Sequence, residues 1–179
     1  MSAYETNRNV LLSNFTSETE FDFGYHTSSA GEGPDTVYLQ GLCQADVEPD
    51  TCWSCFNNAT TDLPKLDPSF SYSFNNPEDA KDAASYTRAL QVLMEKLRNQ
   101  ASGGRDDYKV AVGSETSDKS ETVYGLAQCM PDLSQKDCND CLQNAVLRIR
   151  ACCLNKVGGR VIELSCNLRF EKIQFYDDI

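Results

Sequence analysis

The sequence predicts an α+β protein made of two related small disulfide-rich units, each with helices packed on one face of an antiparallel β-sheet. Three observations predict it. The spacing C-x8-C-x2-C occurs twice, at Cys43, Cys52 and Cys55 and again at Cys129, Cys138 and Cys141. Around each copy, strand-like alternation leads into the first cysteine, and helix-like spacing runs on through the second. A chain of 179 residues split in two also leaves each unit near the size at which a core alone is marginal and cross-links commonly assist.

The first unit is read over 1–74. Asn9–Phe15 reads as the end of a short helix that has lost its front. Phe21, Phe23 and Tyr25 alternate with Asp22 and Gly24, which is strand periodicity. Ser28–Pro34 is a turn-rich loop, and Thr36–Leu42 is a second strand running into Cys43. Glu48-Pro49-Asp50 makes a turn and starts a helix through Cys52–Ala59. The two prolines of Leu63–Pro68 cannot continue that helix, since proline lacks the amide and clashes with the preceding turn. Ser69–Phe74 alternates as a strand, and Asn75-Asn76-Pro77 breaks it.

The second unit, 75–179, is fuller. Ala84–Asn99 places Tyr86, Leu90, Leu93, Met94 and Leu97 at helical spacing, and Ala101–Gly104 ends the helix. Tyr108–Val112 and Thr122–Gln128 are strands flanking a polar loop, Gly113–Glu121. Ser134, with Asp137 three residues on, reads as an N-cap for a helix from Gln135 to about Arg150. That helix would bury Cys138, Cys141, Leu142, Ala145 and Ile149. Gly158-Gly159 turns the chain into closing strands at Val161–Leu164 and Asn167–Phe175. Aligned on the cysteines, Tyr38 falls on Tyr124, Asp46 on Asp132 and Val47 on Leu133. The first unit has no counterpart of the two closing strands and reads as incomplete.

Charge excludes some functions. With 16 basic and 27 acidic residues the net charge is −11, which argues against nucleic acid or an anionic membrane surface as partner. No run of about 18 apolar residues is present, so membrane attachment requires a segment outside this chain. The start, MSAYETNRN, lacks the apolar core of a signal peptide and reads as a truncated or recombinant start. Nine cysteines mean disulfides outside the cytosol or zinc inside it. The two C-x2-C pairs allow a four-thiolate zinc site, but the third cysteine shared nine residues upstream favours disulfides, and no metal or cofactor is assigned. The sequons at Asn14 and Asn58 point to glycosylation on a secretory route.

The stretches VYLQGLCQADVEPDTCWSC, VYGLAQCMPDLSQKDCNDCL and CCLNKVGGRVIELSCNLRFE together resemble the plant ginkbilobin-like domain, also called the salt-stress-response/antifungal or cysteine-rich C-x8-C-x2-C domain. The resemblance covers nearly the whole chain. Its tandem order is similar to that of the ectodomains of cysteine-rich receptor-like kinases, plasmodesmata-located proteins and secreted two-domain relatives. The resemblance implies the pairings Cys43–Cys52, Cys129–Cys138 and Cys141–Cys166. The last would tie the second helix to a closing strand. Cys55, Cys152 and Cys153 remain. Cys152 and Cys153 form a vicinal bridge, or one of them reaches Cys55, or a free thiol is left. The first unit departs from the family because its N-terminal cysteine, a partner for Cys55 and the last two strands are missing. Either that domain is shortened or the sequence omits a segment.

The resemblance also implies a non-enzymatic recognition module of plant defence, stress or cell-surface signalling. It would act in the apoplast or at the outer face of the plasma membrane, with cell-surface or secreted proteins as partners. The alternative it implies is an antifungal lectin binding mannose-type glycans. In mannose-binding members an asparagine, an arginine and a glutamate hold the sugar. Their positions here are Asn76, Arg160 and Glu171, with Asn75 standing where the family carries a cysteine. Hexose hydroxyls need charged donors and acceptors fixed side by side, which this trio would supply. The plainer reading makes Arg160 and Glu171 a cross-strand ion pair supporting the sheet.

Catalysis finds little support. His26, the only histidine, lies on a strand-like stretch without a nucleophile motif and reads as a surface residue. Asp106-Asp107 and Asp177-Asp178 read as solvated faces or tail. Trp53, between two motif cysteines, is either a lid over the bridge or part of a contact patch. An open sheet edge left by the missing strands would make the two units pack tightly or the chain dimerise through its first unit.

Overall fold

The computed structural model describes residues 2–15, 24–62, 71–105 and 108–177. The chain separates into two compact units, Met1–Pro68 and Ser69–Ile179.

In unit 1, helix α1 (Ala3–Phe15) is followed by strands β1 (Tyr25–Ala30) and β2 (Val37–Leu42) and helix α2 (Pro49–Asp62). The strand expected around Phe21 and Phe23 lies outside the described residues. β1 runs further than expected, to Ala30, because its left-handed break comes at Gly31, with φ of +95°, and not at the serines. The hairpin turn is pinned by Asn7, whose side-chain amide donates to the Asp35 carbonyl at 3.0 Å. β1 and β2 pair antiparallel from Tyr25↔Leu42 to Ala30↔Val37. Phe15, Cys52 and Phe56 form a small core, with Leu39, Cys43 and Val47 against it. Gly41 is required there: a Cβ would fall 2.5 Å from the Phe56 ring. His26, expected at the surface, is half-buried and packs edge-on against Phe15, ring centres 4.8 Å apart. Trp53 is half-buried on α2, and the sequon residues Asn14 and Asn58 are exposed on helices.

Unit 2 contains β3 (Ser71–Asn75), α3 (Ala83–Ser102), β4 (Val110–Thr116), β5 (Thr122–Cys129), α4 (Gln135–Cys152), β6 (Gly159–Glu163) and β7 (Cys166–Glu171). Its sheet has the order β3-β6-β7-β5-β4, antiparallel at every pairing. β3, read from the sequence as closing the first unit, is an edge strand of this second sheet. The division therefore falls ahead of the expected 74/75 boundary. The partner that decides it, β6, lies far downstream, beyond the reach of local periodicity.

Helices α3 and α4 cover one face of this sheet. Their apolar stripes, including Leu93, Met94 and Leu97 from α3 and Cys138, Leu142 and Ala145 from α4, meet Val123, Ala127, Val161, Leu168 and Phe170. Gly113, expected to open a loop, is a strand residue: Leu97 reaches to 3.5 Å of where its Cβ would stand, so the helix fills the space. α3 is capped by Asp82, which accepts from the Ser85 amide at 3.0 Å. α4 is capped by Ser134, which accepts from the Asp137 amide at 3.1 Å and donates to the Asp137 carboxylate at 2.7 Å. β7 stops at Glu171, earlier than expected. Beyond it Tyr176 anchors the tail by donating to the Gly113 carbonyl at 2.7 Å.

Disulfides Cys43–Cys52, Cys129–Cys138 and Cys141–Cys166 are formed. Of the arrangements left open, the structure adopts the vicinal bridge Cys152–Cys153 and leaves Cys55 as an exposed thiol. Eight cysteines are thereby held in disulfides, including those of both C-x2-C pairs except Cys55. No described helix is long and apolar enough to cross a membrane.

Candidate binding site

Alternation along β6 and β7 turns Val161, Leu168 and Phe170 inward, and Arg160, Arg169 and Glu171 to the face away from α3 and α4. Phe74, Arg160, Arg169 and Leu126 form one cross-strand row through the pairs Phe74↔Arg160, Arg160↔Arg169 and Leu126↔Arg169. The next row is built around Gly158. The Asn76 amide donates to the Gly158 carbonyl at 2.9 Å. The Glu171 carboxylate lies over Gly158, where a Cβ would fall 2.0 Å from Oε2. Tyr124 stands opposite Glu171 on the other side. The three residues expected from the sequence thus occupy adjacent positions on two rows at one corner of the sheet.

They are not equivalent in bonding. Glu171 accepts from Arg169 Nε and Nη2 at 3.4 and 3.3 Å, and Arg169 also lies over the Phe175 ring at 4.1 Å. The expected Arg160–Glu171 ion pair is therefore not formed, because the rung opposite Arg160 holds Arg169, which takes the carboxylate. Arg160 is half-buried, its Nε lacks a hydrogen-bond partner, and among the described residues no carboxylate pairs with it. Burial, and then the positive charge of Arg169, hold its guanidinium below its ordinary pKa. Asn76 accepts from the Glu78 amide through Oδ1 at 3.0 Å, an Asx turn that fixes its side chain. Lys172 pairs with Glu78, and Lys156 with Asp79 at 2.7 Å, closing the rim.

Beneath this corner the buried Tyr86 hydroxyl donates to the Val157 carbonyl at 2.8 Å. Burial, and then the Glu171 and Glu121 carboxylates, push its pKa well above the ordinary value of 10.0. The arrangement offers one uncompensated cation, Arg160, a fixed carboxylate and an amide side chain, flanked by Phe74, 57% exposed and stacked on Tyr72. Such a set holds hydroxyls or an anionic oxygen and contains no nucleophile–base pair. A separate groove of about 510 Å³ lies at the far end of β6, between α4 and the β6–β7 turn, lined by Asp137, Leu147, Arg148, Glu163 and Leu164. It does not include the trio.

Sequence reasoning missed Arg169 and Phe74. The signal for Arg169 was present, since residues two apart on a strand share a face, which puts Arg169 beside Glu171. Nothing local marked Phe74, because its place opposite Arg160 depends on the distant β3–β6 pairing.

Comparison with known proteins agrees with this architecture. The family described as "Salt stress response/antifungal" matches residues 1–74 and again 71–173. An antimicrobial ginkbilobin-2-like protein of Castanea crenata is 32% identical, over 98% of this chain and 83% of the relative. That alignment runs over 203 residues, more than the 179 present here, so the relative carries segments this chain lacks. Cysteine-rich receptor-like protein kinase 29 of Arabidopsis thaliana is 31% identical over 98% of this chain, which spans only 30% of that kinase. The tandem DUF26 ectodomain of the Arabidopsis thaliana cysteine-rich receptor-like protein PDLP5 superposes with a TM-score of 0.66 at 26% identity, covering 95% of this chain and 91% of the other. That of PDLP8 reaches 0.74 at 18% identity, covering 94% and 90%, and bears on the fold alone. With both units matched and the fold shared, this chain belongs to the salt stress response/antifungal family.

Proposed function

We propose that this chain is a non-enzymatic extracellular recognition module of plant defence, stress or cell-surface signalling, working in the apoplast or at the outer face of the plasma membrane. Its contact surface is the corner around Gly158. The observation that carries this reading is Arg160: a half-buried cation that has no carboxylate partner among the described residues, on the rung beside an Arg169–Glu171 pair that is already made. Leaving such a group unpaired is unfavourable unless something else answers it, and a ligand oxygen would. The relatives, which include a secretory cysteine-rich repeat protein and receptor ectodomains, support the extracellular setting.

A second reading, a lectin for mannose-type glycans, is favoured by one observation: Asn76 and Glu171 meet at Gly158, and Arg160 stands in the adjacent row of the same sheet. Calorimetric titration with mannose separates the two. A lectin shows saturable binding in the millimolar to high-micromolar range, about −4 to −6 kcal/mol, abolished by Arg160→Ala with the fold intact by circular dichroism. No heat at tens of millimolar mannose removes the lectin and leaves a protein-facing surface. The recognition module itself is then tested on a panel of plant receptor ectodomains. Binding that survives Arg160→Glu unchanged would sink the assignment of this corner.

A further inference from the structure

Among the described residues, the corner around Gly158 is one carboxylate short. Arg169 has Glu171 at 3.3 Å, Lys156 has Asp79 at 2.7 Å, and Lys172 has Glu78. Arg160, opposite Arg169 in the β6–β7 register, has no such partner, and its Nε is buried without a hydrogen bond. Like charges facing each other across a strand pair repel, so this rung carries an unanswered positive charge. On the other side of Arg160 stands Phe74, its partner on the edge strand β3. The Phe74 ring is 57% exposed and stacks on Tyr72, with centroids 6.3 Å apart and planes inclined by 15°. Residues two apart on a strand share a face, so the two rings form one apolar shelf along the margin of the sheet, beside the cation.

Two independent features, an uncompensated guanidinium and an exposed pair of rings, thus lie side by side. We propose that this corner binds an apolar peptide segment of a partner protein that carries a single carboxylate, an inference that rests on reading the corner as a recognition surface. The carboxylate sits on Arg160, and a neighbouring aromatic or large aliphatic side chain lies on Phe74 and Tyr72. A carboxylate accepts two N–H groups of a guanidinium in parallel and cancels its charge, which a neutral hydroxyl does not. Aromatic rings and arginines carry much of the energy of protein contacts, because the ring supplies apolar area and the guanidinium fixes direction. Arg169 does not compete for the ligand, since Glu171 and the Phe175 ring already hold it. The net charge of −11 narrows the choice further. A segment rich in carboxylates is repelled by the surrounding surface, whereas one carboxylate beside an apolar side chain meets the local cation within the screening distance.

The test titrates the chain with the blocked tripeptide acetyl-Phe-Gly-Glu-amide, up to tens of millimolar, and follows backbone amide chemical shifts. Two control peptides carry Gln in place of Glu, or Ala in place of Phe. Saturable shifts are expected at Phe74, Gly158 and Arg160, with the Glu peptide binding roughly fivefold more tightly than the Gln peptide, the size of one exposed ion pair. Arg160→Gln should abolish that preference, and Phe74→Ser should weaken both peptides alike, with the fold of each variant checked by circular dichroism. No shift at the corner, equal affinity for the Glu and Gln peptides, or a preference that survives Arg160→Gln overturns the proposal. Galacturonate and mannose are titrated alongside. A hexuronate that binds more tightly than the peptide, and loses that advantage in Arg160→Gln, moves the carboxylate to a glycan and overturns the peptide assignment. The underlying reading fails separately, when binding to receptor ectodomains survives Arg160→Glu unchanged. Ectodomain binding lost in Arg160→Glu, together with indifference to the peptide carboxylate, strikes only the present proposal.

Discussion

Units 1 and 2 share a junction and differ in everything built upon it. Cys43–Cys52 and Cys129–Cys138 span the same nine positions, with Cα atoms 5.8 and 5.7 Å apart, and each ties the end of a strand to the first turns of a helix. Around the second junction, five strands and two helices close on a continuous core from Ala80 to Phe170. Around the first, among the described residues, two strands and two helices gather a buried cluster of Phe15, Cys52 and Phe56, with Leu11, Leu12 and Val37 also buried. The cysteine motif therefore specifies a local turn of chain and not a domain. What makes unit 2 a domain is the apolar stripe of α3 and the strands that return from downstream, and unit 1 has neither on that scale.

The largest effect this comparison predicts is in the core. Leu93, fully buried between α3 and the sheet, should cost about 2–5 kcal/mol when cut to alanine, because the removed methyl groups leave a cavity that close-packed neighbours only partly fill. In the wild type, amides of β5 and β7 should exchange far more slowly than those of β1 and β2. Leu93→Ala should accelerate the former and leave the latter nearly as they were. Equal protection in both hairpins would break the comparison outright.

The next effect concerns the cross-link that only unit 2 possesses. Cys141–Cys166 closes a span of 25 residues and pins α4 to β7, which loop-closure entropy rates at about 3 kcal/mol. Replacing both cysteines by serine should lower the denaturant midpoint accordingly. The same change at Cys43 and Cys52, with its shorter span, should cost less. The reverse order would mean that unit 1 depends on its single bridge more than its size suggests, and would sharpen the contrast in another direction.

Much of this was legible from residues alone, for reasons that also explain what was not. Helices α3 and α4 announce themselves because Tyr86, Leu90, Leu93 and Leu97, or Cys138, Leu142 and Ala145, keep a helical period over several turns. Ser134 declares its cap through Asp137. Failures cluster where a residue's fate is set by a partner far along the chain. β3 looked like the end of the first unit because its pairing with β6 leaves no local trace. Gly113 reads as a loop residue from the sequence because Leu97, which fills the space above it, lies on a different element. The remaining cysteines stayed open for the same reason. Asn75, where the family resemblance leads one to expect a cysteine, donates instead to the Cys152 carbonyl at 3.3 Å, and Cys152 and Cys153 close on each other. At the candidate site the position of each residue was readable, but not their bonding. Which arginine receives Glu171 is decided by the β6–β7 register.

The smallest predicted effect is the one most specific to the corner around Gly158. Tyr86 is 1% exposed, donates to the Val157 carbonyl just ahead of β6, and has its pKa raised first by burial and then by Glu171 and Glu121. A phenol whose folded pKa lies above its unfolded value binds its proton more tightly in the native state. The stability this contributes is complete below the ordinary pKa near 10 and is lost as pH rises beyond it. Each pH unit above that point should remove up to about 1.4 kcal/mol through this group, until the folded-state pKa is reached. Tyr86→Phe should cost about 1 kcal/mol at neutral pH, the value of a net hydrogen bond, and should flatten the alkaline fall. Glu171→Gln should flatten it less, because burial, the larger cause, remains. Unit 1 offers no equivalent among the described residues: α1 stands where α3 does, but no strand follows α2 before Pro68 to supply the carbonyl that Val157 presents on the approach to β6. Denaturant midpoints measured from pH 8 to 11 for wild type and both variants would check the order. A slope above pH 10 that is the same in wild type and Tyr86→Phe would show that the phenol under this corner does not report on it.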